Sequence, residues 1–184
     1  MKFYTAIFMC LLFCFNCTGQ RNHFETQLNN LININIMPYY PELSGDSVFW
    51  NITKEKIDIV PYLINRINDT TRTNASAANF GRIYTVGDVC VRAIEEIIKD
   101  FPTIKLIETD DSLLREKAYG IYWNYVSDFK NRLEFQKRVC VWFEENRNNL
   151  VWQVDDKLYA VTDEENGDAK KRPAGGYYMV KKKP

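Results

Sequence analysis

The chain has 184 residues, enough for one ordinary domain and too few for two comfortable ones. Its 24 basic residues balance its 24 acidic ones, which argues against nucleic-acid binding, since that needs a strong basic excess to displace counterions from phosphates. A single histidine, His23, leaves no parts for a Ser-His-Asp triad or a His-rich metal site.

Met1-Lys2 places one positive charge before a nearly unbroken apolar run from Tyr4 to Phe15. That run is too short to span a bilayer, which takes about 20 apolar residues, and suits the h-region of a secretory signal, about 7 to 15 residues long. Residues 1–19 therefore read as an export signal and residues 20–184 as a single domain. Two processing chemistries fit. Cys17 stands where a bacterial lipoprotein is cut and its new N-terminal cysteine acylated, although Cys14 and Phe15 replace the Leu and small residues usual there. Cleavage after the small Gly19 would instead leave Gln20 first. Lipid on Cys17 would attach the protein to a membrane of the cell envelope.

Phe24, Leu28, Leu31 and Ile32 recur at helical spacing and predict a helix from Phe24 to Ile36, stopped by Pro38. The residues from Asn16 to Glu25 read as a polar linker that holds His23. Asp46 or Ser47 can cap a short helix through Val48, Phe49 and Ile52. Ile57, Val60, Ile64 and Ile67 define the face of a further helix, with Pro61 in its first turn. Thr70 to Thr85 is polar, without apolar periodicity, and reads as a long loop.

Thr85 and Asp88 form an Asp version of the capping box, opening a helix with Val89, Cys90, Ala93, Ile94, Ile97 and Ile98 on one side. Arg92, Glu95, Glu96 and Lys99 lie opposite as a solvated face. Asp100-Phe101-Pro102 closes this helix, and Thr103 to Glu108 reads as extended or irregular. Thr109-Asp110-Asp111-Ser112 starts another helix whose end is blurred by Gly120 and the run Ile121 to Val126. A last helix, Asn131 to Asn146, places Leu133, Val139, Cys140 and Phe143 on one face, widened by Phe135 and Trp142. Leu150 to Val154 and Leu158 to Val161 then read as strands joined by a turn at Asp155-Asp156-Lys157. Asn166-Gly167 marks another turn and Tyr177 to Val180 a third strand. The expected fold is mainly α, a helical body over residues 24–149 with a small antiparallel β appendage over residues 150–184.

The segment from Ile59-Val60-Pro61-Tyr62-Leu63-Ile64 to Asp69, with Val86-Gly87-Asp88-Val89-Cys90-Val91-Arg92-Ala93-Ile94 after the loop, resembles a HEAT-like helical repeat. The resemblance covers Ile57 to Ile98 and implies one degenerate α-α pair without a second copy. Thr85 to Cys90, Phe135-Gln136, Val139, Trp142 and Asn149 to Trp152 also resemble a group of uncharacterised bacterial exported proteins, from which no activity carries over.

Among chemical candidates, Cys90 and Cys140 can pair in an oxidising compartment, but their apolar helical settings favour two buried thiols. Asp163 to Asp168 lacks the acids that a calcium loop requires at its first and twelfth positions, filled here by Thr162 and Pro173, and reads as an acidic turn. Asp110-Asp111 and Asp155-Asp156 read as capping and turn pairs. Nucleotide-loop and nucleophile-elbow motifs do not occur. Asn51, Asn68 and Asn74 stand in glycosylation triplets, which matter only in a eukaryotic source. Tyr39, Tyr40, Phe80, Tyr84, Tyr177 and Tyr178, in or beside loops, are the aromatics best placed for recognition.

With no catalytic, metal or cofactor set, the expectation is a non-enzymatic binding or adaptor protein of the cell envelope. Asn79, Phe80, Tyr84 and Asp88 are its candidate contacts to a protein partner. An immunity or inhibitor protein against a toxin or cell-wall hydrolase, and an enzyme of unrecognised class using carboxylates, are the alternatives.

Overall fold

The computed structural model describes residues 19–38, 45–77, 81–107, 120–159 and 170–181. The apolar leader with Cys17, the helix start at Thr109, the acidic stretch Asp163 to Asp168 and the Asn166-Gly167 turn lie outside the described residues.

Residues 19–29 form α1, followed by a 3-10 turn at Asn30–Asn33. The expected linker around His23 is thus helical, and the helix ends earlier than Ile36. Phe24, Leu28, Leu31 and Ile34 are buried, so the apolar spacing reports packing even where the Asn-rich backbone leaves the α conformation. His23 and Gln27 both meet Glu55 Oε1, at 2.9 Å and 2.8 Å, and Arg66 donates to Glu25 at 3.0 Å. These contacts strap α1 across the next helices.

Asp46 caps α2, Ser47–Lys54, by accepting from the Val48 amide at 3.0 Å. Phe49, Trp50 and Ile52 point into the core. A 3-10 turn, Lys56–Ile59, leads into α3, Val60–Asn65, with Pro61 in its first turn as expected.

The polar stretch after α3 is not a loop. It is a hairpin of β1, Arg72–Ala77, and β2, Arg82–Thr85, paired antiparallel with a register irregularity between Arg72 and Ser76. Burial alternates along β1, with Thr73, Ala75 and Ala77 inside. Residues this small carry the period-2 pattern without a strong apolar signal, which is why the sequence reads as loop. On its far side β1 donates from the Asn74 amide to the Ile34 carbonyl at 3.0 Å. That edge is covered by the chain after α1, and among the described residues β2 is the outer strand.

The core helix α4, Val86–Ile97, begins at the expected box: Asp88 N donates to Thr85 Oγ1 while Thr85 N donates back to Asp88 Oδ2 at 2.9 Å. Val89, Cys90, Ala93, Ile94 and Ile97 are buried as the stripe predicts. Its start presses on the end of α3. A Cβ on Gly87 would stand 2.1 Å from the Ile67 carbonyl oxygen, so only glycine fits that crossing.

Thr103–Leu106 is a short helix, α5, rather than extended chain. Residues 120–126 are helical, α6, and bury Tyr122, Trp123 and Val126. The long α7, Phe129–Asn146, is capped by Asp128, which accepts from the Lys130 amide at 2.7 Å. Its buried face is Arg132, Phe135, Val139 and Phe143, so Leu133 is half-buried and Cys140 is exposed. The two-buried-thiols expectation therefore fails at Cys140. Cys90 is buried and both thiols are free.

At the C-terminal end β3, Leu150–Val154, does not turn back onto β4, Leu158–Tyr159. Instead β3 pairs with β6, Gly176–Val180, and β4 with β5, Lys170–Lys171, giving a two-stranded ribbon whose outgoing and returning arms are each broken once. Asp155 to Lys157 is thus a break within one arm rather than a hairpin turn. The ribbon is riveted to α4: Lys99 N donates to Tyr178 O at 2.9 Å, and Arg172 Nε lies 2.8 Å from Glu96 Oε1. Glu96 is therefore buried, not part of a solvated face. The chain is a mixed structure, mostly helical with small antiparallel sheets, and its core draws on every segment from α1 to α7.

Two outcomes follow. Gly87→Ala should destabilise the protein by about 1–3 kcal/mol or more in urea unfolding, because a fixed carbonyl rather than a mobile side chain occupies the space. The second concerns Asp155, where burial opposes ionisation, yet the Tyr159 hydroxyl at 2.6 Å and the Lys157 amide hold the carboxyl below its usual value. The lowered value makes its contribution present at neutral pH and lost as pH falls through the carboxylate range. Asp155→Ala should cost ~1–3 kcal/mol at pH 7, and the gap to the parent protein should close in unfolding curves taken below about pH 3.

Candidate functional site

Two adjoining clefts flank the start of α4 and share one wall. The first, about 420 Å³, lies between α4, α5 and α6 and is lined by Val91, Phe101, Pro102, Ile104, Tyr84, Tyr122 and Trp123. The second, about 470 Å³, lies between the hairpin, α6 and α7 and is lined by Thr70, Arg72, Arg82, Ile83, Ser127 and Arg132 among others. Asp88 and Trp123 border both.

The shared wall is a buried polar cluster. Asp88 is 2% exposed and Arg132 4%. Asp88 Oδ1 accepts from Arg132 Nη2 at 2.9 Å and from the Tyr122 hydroxyl at 3.1 Å. Its Oδ2 accepts from the Thr85 amide at 2.9 Å and the Thr85 hydroxyl at 2.7 Å. Arg132 also donates to main-chain carbonyls, from Nε to Val126 at 3.1 Å and from Nη1 to Ile67 at 3.3 Å. A buried ion pair is tolerable when its atoms find further hydrogen bonds, and here each guanidinium nitrogen and each carboxylate oxygen has a partner. Burial, reinforced by the Asp88 charge, pushes the Tyr122 phenol well up, so Tyr122 stays a neutral donor.

In the first cleft, Tyr84 and Trp123 meet edge to face with centroids 5.2 Å apart, and Trp123 meets Tyr122 at 5.4 Å. At the rim Arg92 pairs with Glu95 one helical turn away, and Glu95 also accepts from the Thr103 hydroxyl at 2.5 Å, tying α5 to α4. The result is a greasy slot with a charged lip, the usual make-up of a recognition site. In the second cleft Arg82 donates from Nη1 to the Trp123 carbonyl at 3.2 Å, which holds its guanidinium across the opening.

Of the sequence-based candidates, Tyr84 lines the apolar cleft, half-buried. Asp88 borders both clefts, but its oxygens are occupied within the wall, so it positions other groups instead of offering a free carboxylate. Asn79 and Phe80, like Tyr39, Tyr40 and Asp110-Asp111, lie outside the described residues. Tyr177 and Tyr178 are in β6, with Tyr178 stacked edge-on to Trp152 at 5.0 Å, away from both clefts. His23 sits on α1 against Glu55. Burial pushes the Cys90 thiol far up, with Asp69 adding to the effect, so it is held as a neutral core thiol. Among the described residues no group of three or more His, Cys, Asp or Glu gathers as a metal site would require.

Arg132, Arg72 and Arg82 escape sequence reasoning. The one usable signal was Arg132, a charge standing on the helical stripe with Phe135, Val139 and Phe143.

No family model, curated protein or solved structure matches the chain. Its functional reading rests on this geometry.

Removing either partner of the buried pair strands the other charge in the core. Asp88→Ala and Arg132→Ala should each cost about 3–5 kcal/mol by urea unfolding. The double substitution should cost clearly less than the two losses added together, which a double-mutant cycle measures.

Proposed function

We propose that this chain is a non-enzymatic binding or adaptor protein of the bacterial cell envelope, and that its apolar cleft seats a protein partner. The observation that carries this reading is the cleft itself. Aromatic and aliphatic walls of about 420 Å³ stand beside the outer strand of a two-stranded sheet. An extended segment can add to such a strand through main-chain hydrogen bonds while its side chains fill the adjoining slot. The groups with chemical potential support binding over turnover, since Asp88 is consumed by its four hydrogen bonds and Cys90 is sealed in the core.

Delivery to the envelope belongs to the same proposal. The apolar run from Tyr4 to Phe15 directs export, and either lipid on Cys17 holds the protein at a membrane or cleavage after Gly19 releases it. Among the described residues no helix is long and apolar enough to cross a membrane. The finer fold reading is that α3 and α4 are one degenerate HEAT-like pair. Their direct packing supports it, and the hairpin inserted between them is a departure from that pattern.

Photo-crosslinking tests the proposal. A benzophenone amino acid placed at Tyr84 or Ile104 should join the protein to one and the same envelope protein in cells, whereas one at the exposed Lys137 on α7 should not. Equal products from all three positions, or none from the two cleft positions, would refute it.

A further inference from the structure

The C-terminal ribbon has one covered edge and one bare edge. At the two ends of β3, Lys181 N donates to Asn149 O at 2.8 Å and Asp155 N donates to Gly175 O at 3.1 Å. Hydrogen-bonded and non-bonded pairs alternate along an antiparallel ladder, so the odd-numbered residues of β3 bond to β6, while Leu150, Trp152 and Val154 turn their main-chain groups outward. The same alternation turns Tyr178 of β6 outward on the other side. There its carbonyl accepts from Lys99 N at 2.9 Å, next to the parallel bridge with Ile98. The β6 edge is thus covered by the chain at the end of α4, whereas among the described residues the β3 edge carries no strand. The Leu150 N–H closes the preceding 3-10 turn on Arg147 O. The Leu150 carbonyl and the main-chain groups of Trp152 and Val154 remain to face outward.

Open strand edges are ordinarily blunted by a lysine, a proline, a bulge or a covering segment. Leu150-Val151-Trp152-Gln153-Val154 has neither charge nor proline, and its register with β6 is unbroken. Val151 and Val154 are exposed, Val154 by 66%. An edge without charge can meet a copy of itself, since no like charges are brought together. Its bonding groups are also self-complementary. In an antiparallel pairing centred on Trp152, that residue exchanges both main-chain bonds with Trp152 of a second copy, and each Val154 N–H reaches the Leu150 carbonyl opposite. The Leu150 N–H, already engaged, is not needed. Leu150 then lies across from Val154 and Val151 across from Gln153, so apolar side chains meet without a charge between them.

We infer that β3 is a dimer interface, joining two copies of this chain in a continuous sheet of order β6-β3-β3-β6 about a two-fold axis at Trp152. The assembly closes at two copies, because the outer edge of each β6 is already covered by Ile98 and Lys99. Leu150 to Val154 line neither cleft, so this interface is separate from the binding site proposed above.

Sedimentation velocity on the full-length protein in mild detergent should show a monomer–dimer equilibrium that moves with protein concentration and stops at the dimer. Val151→Lys with Gln153→Lys sets like charges directly opposite across the axis and should raise the dissociation constant about tenfold or more. Val151→Glu with Gln153→Glu should do the same, and an equimolar mixture of the two variants should dimerise again. Both side chains are exposed, so circular dichroism of each variant should match the parent protein. Disulfide trapping in a Cys140→Ser background checks the register. Val151→Cys and Gln153→Cys stand opposite each other at a non-hydrogen-bonded site, where side chains are closest, so their mixture should oxidise to a mixed dimer faster than either variant alone. A benzophenone amino acid at Val151 should join two copies in cells. Monomer at every concentration, a dimer indifferent to both charged pairs, or growth beyond two copies would overturn the interface. Faster trapping of either single variant would overturn the axis at Trp152, and a foreign envelope protein joined at Val151 would overturn the second copy as occupant.

Discussion

Burying a carboxylate and a guanidinium together costs several kcal/mol of hydration for each ion, and that cost is offset only when every donor and acceptor of the pair finds a partner. Each carboxylate oxygen of Asp88 and each guanidinium nitrogen of Arg132 has a partner, drawn from distant parts of the chain. The Asp88 side chain holds the N-terminus of α4 through Thr85 and α6 through the Tyr122 hydroxyl. Arg132 reaches the end of α3 at the Ile67 carbonyl, the end of α6 at Val126, and α4 through Asp88. Any shift of one of these four helices leaves a charge or a carbonyl unsatisfied in the core. Gly87 belongs to the same junction, since α4 meets the Ile67 carbonyl closely enough for the arginine to bridge both only in the absence of a side chain.

The two clefts owe their contrast to this wall. On one side Tyr122 and Trp123 turn their rings toward α4 and α5, and with Phe101 and Ile104 they make an apolar surface. On the other side Arg72 and Arg82 of the hairpin line the polar cleft, whose one lining acid, Asp88, is already engaged by Arg132. The rigidity of the wall also matters for recognition, since walls held by packed rings and fixed hydrogen bonds lose little freedom when a ligand arrives.

The ribbon of β3 to β6 is organised by an independent polar knot. Arg172 faces Glu96 on α4, and Asp155 accepts from Tyr159, whose phenol is pushed up to about 12 by burial and by the Asp155 charge. Such a ribbon has too little core to stand alone, and its stability comes from the parallel bridge between Ile98 and Tyr178 and from the Trp152 ring, with the Lys56 ammonium 4.3 Å from the ring centre. This explains why a chain that turns from helical to alternating patterning near Asn149 still forms one connected structure.

Features decided within a turn or two of the chain were legible from residues alone. The Thr85 to Asp88 box, the Asp46 cap, Pro61 in the first turn of α3, the apolar stripe of α4 and the strand character of Leu150 to Val154 all depend on near neighbours, whose chemistry is printed side by side. Tyr84 and Asp88 could be picked out for the same reason, at the junction of loop-like and helical patterning. Features that require two distant segments to meet were not legible. Thr73, Ala75 and Ala77 carry too little apolar weight to declare a strand until β2 and the Ile34 segment lie beside them. Gln153 gives no sign that its partner is Tyr177 and not a residue a few places on, nor Glu96 that Arg172 will cover it, nor Cys140 that its side of α7 faces solvent. Asp88 could be recognised as a cap from sequence, but its ion pair with Arg132 exists only because α7 crosses α4, and burial then converts a weak surface attraction into a constraint on four helices.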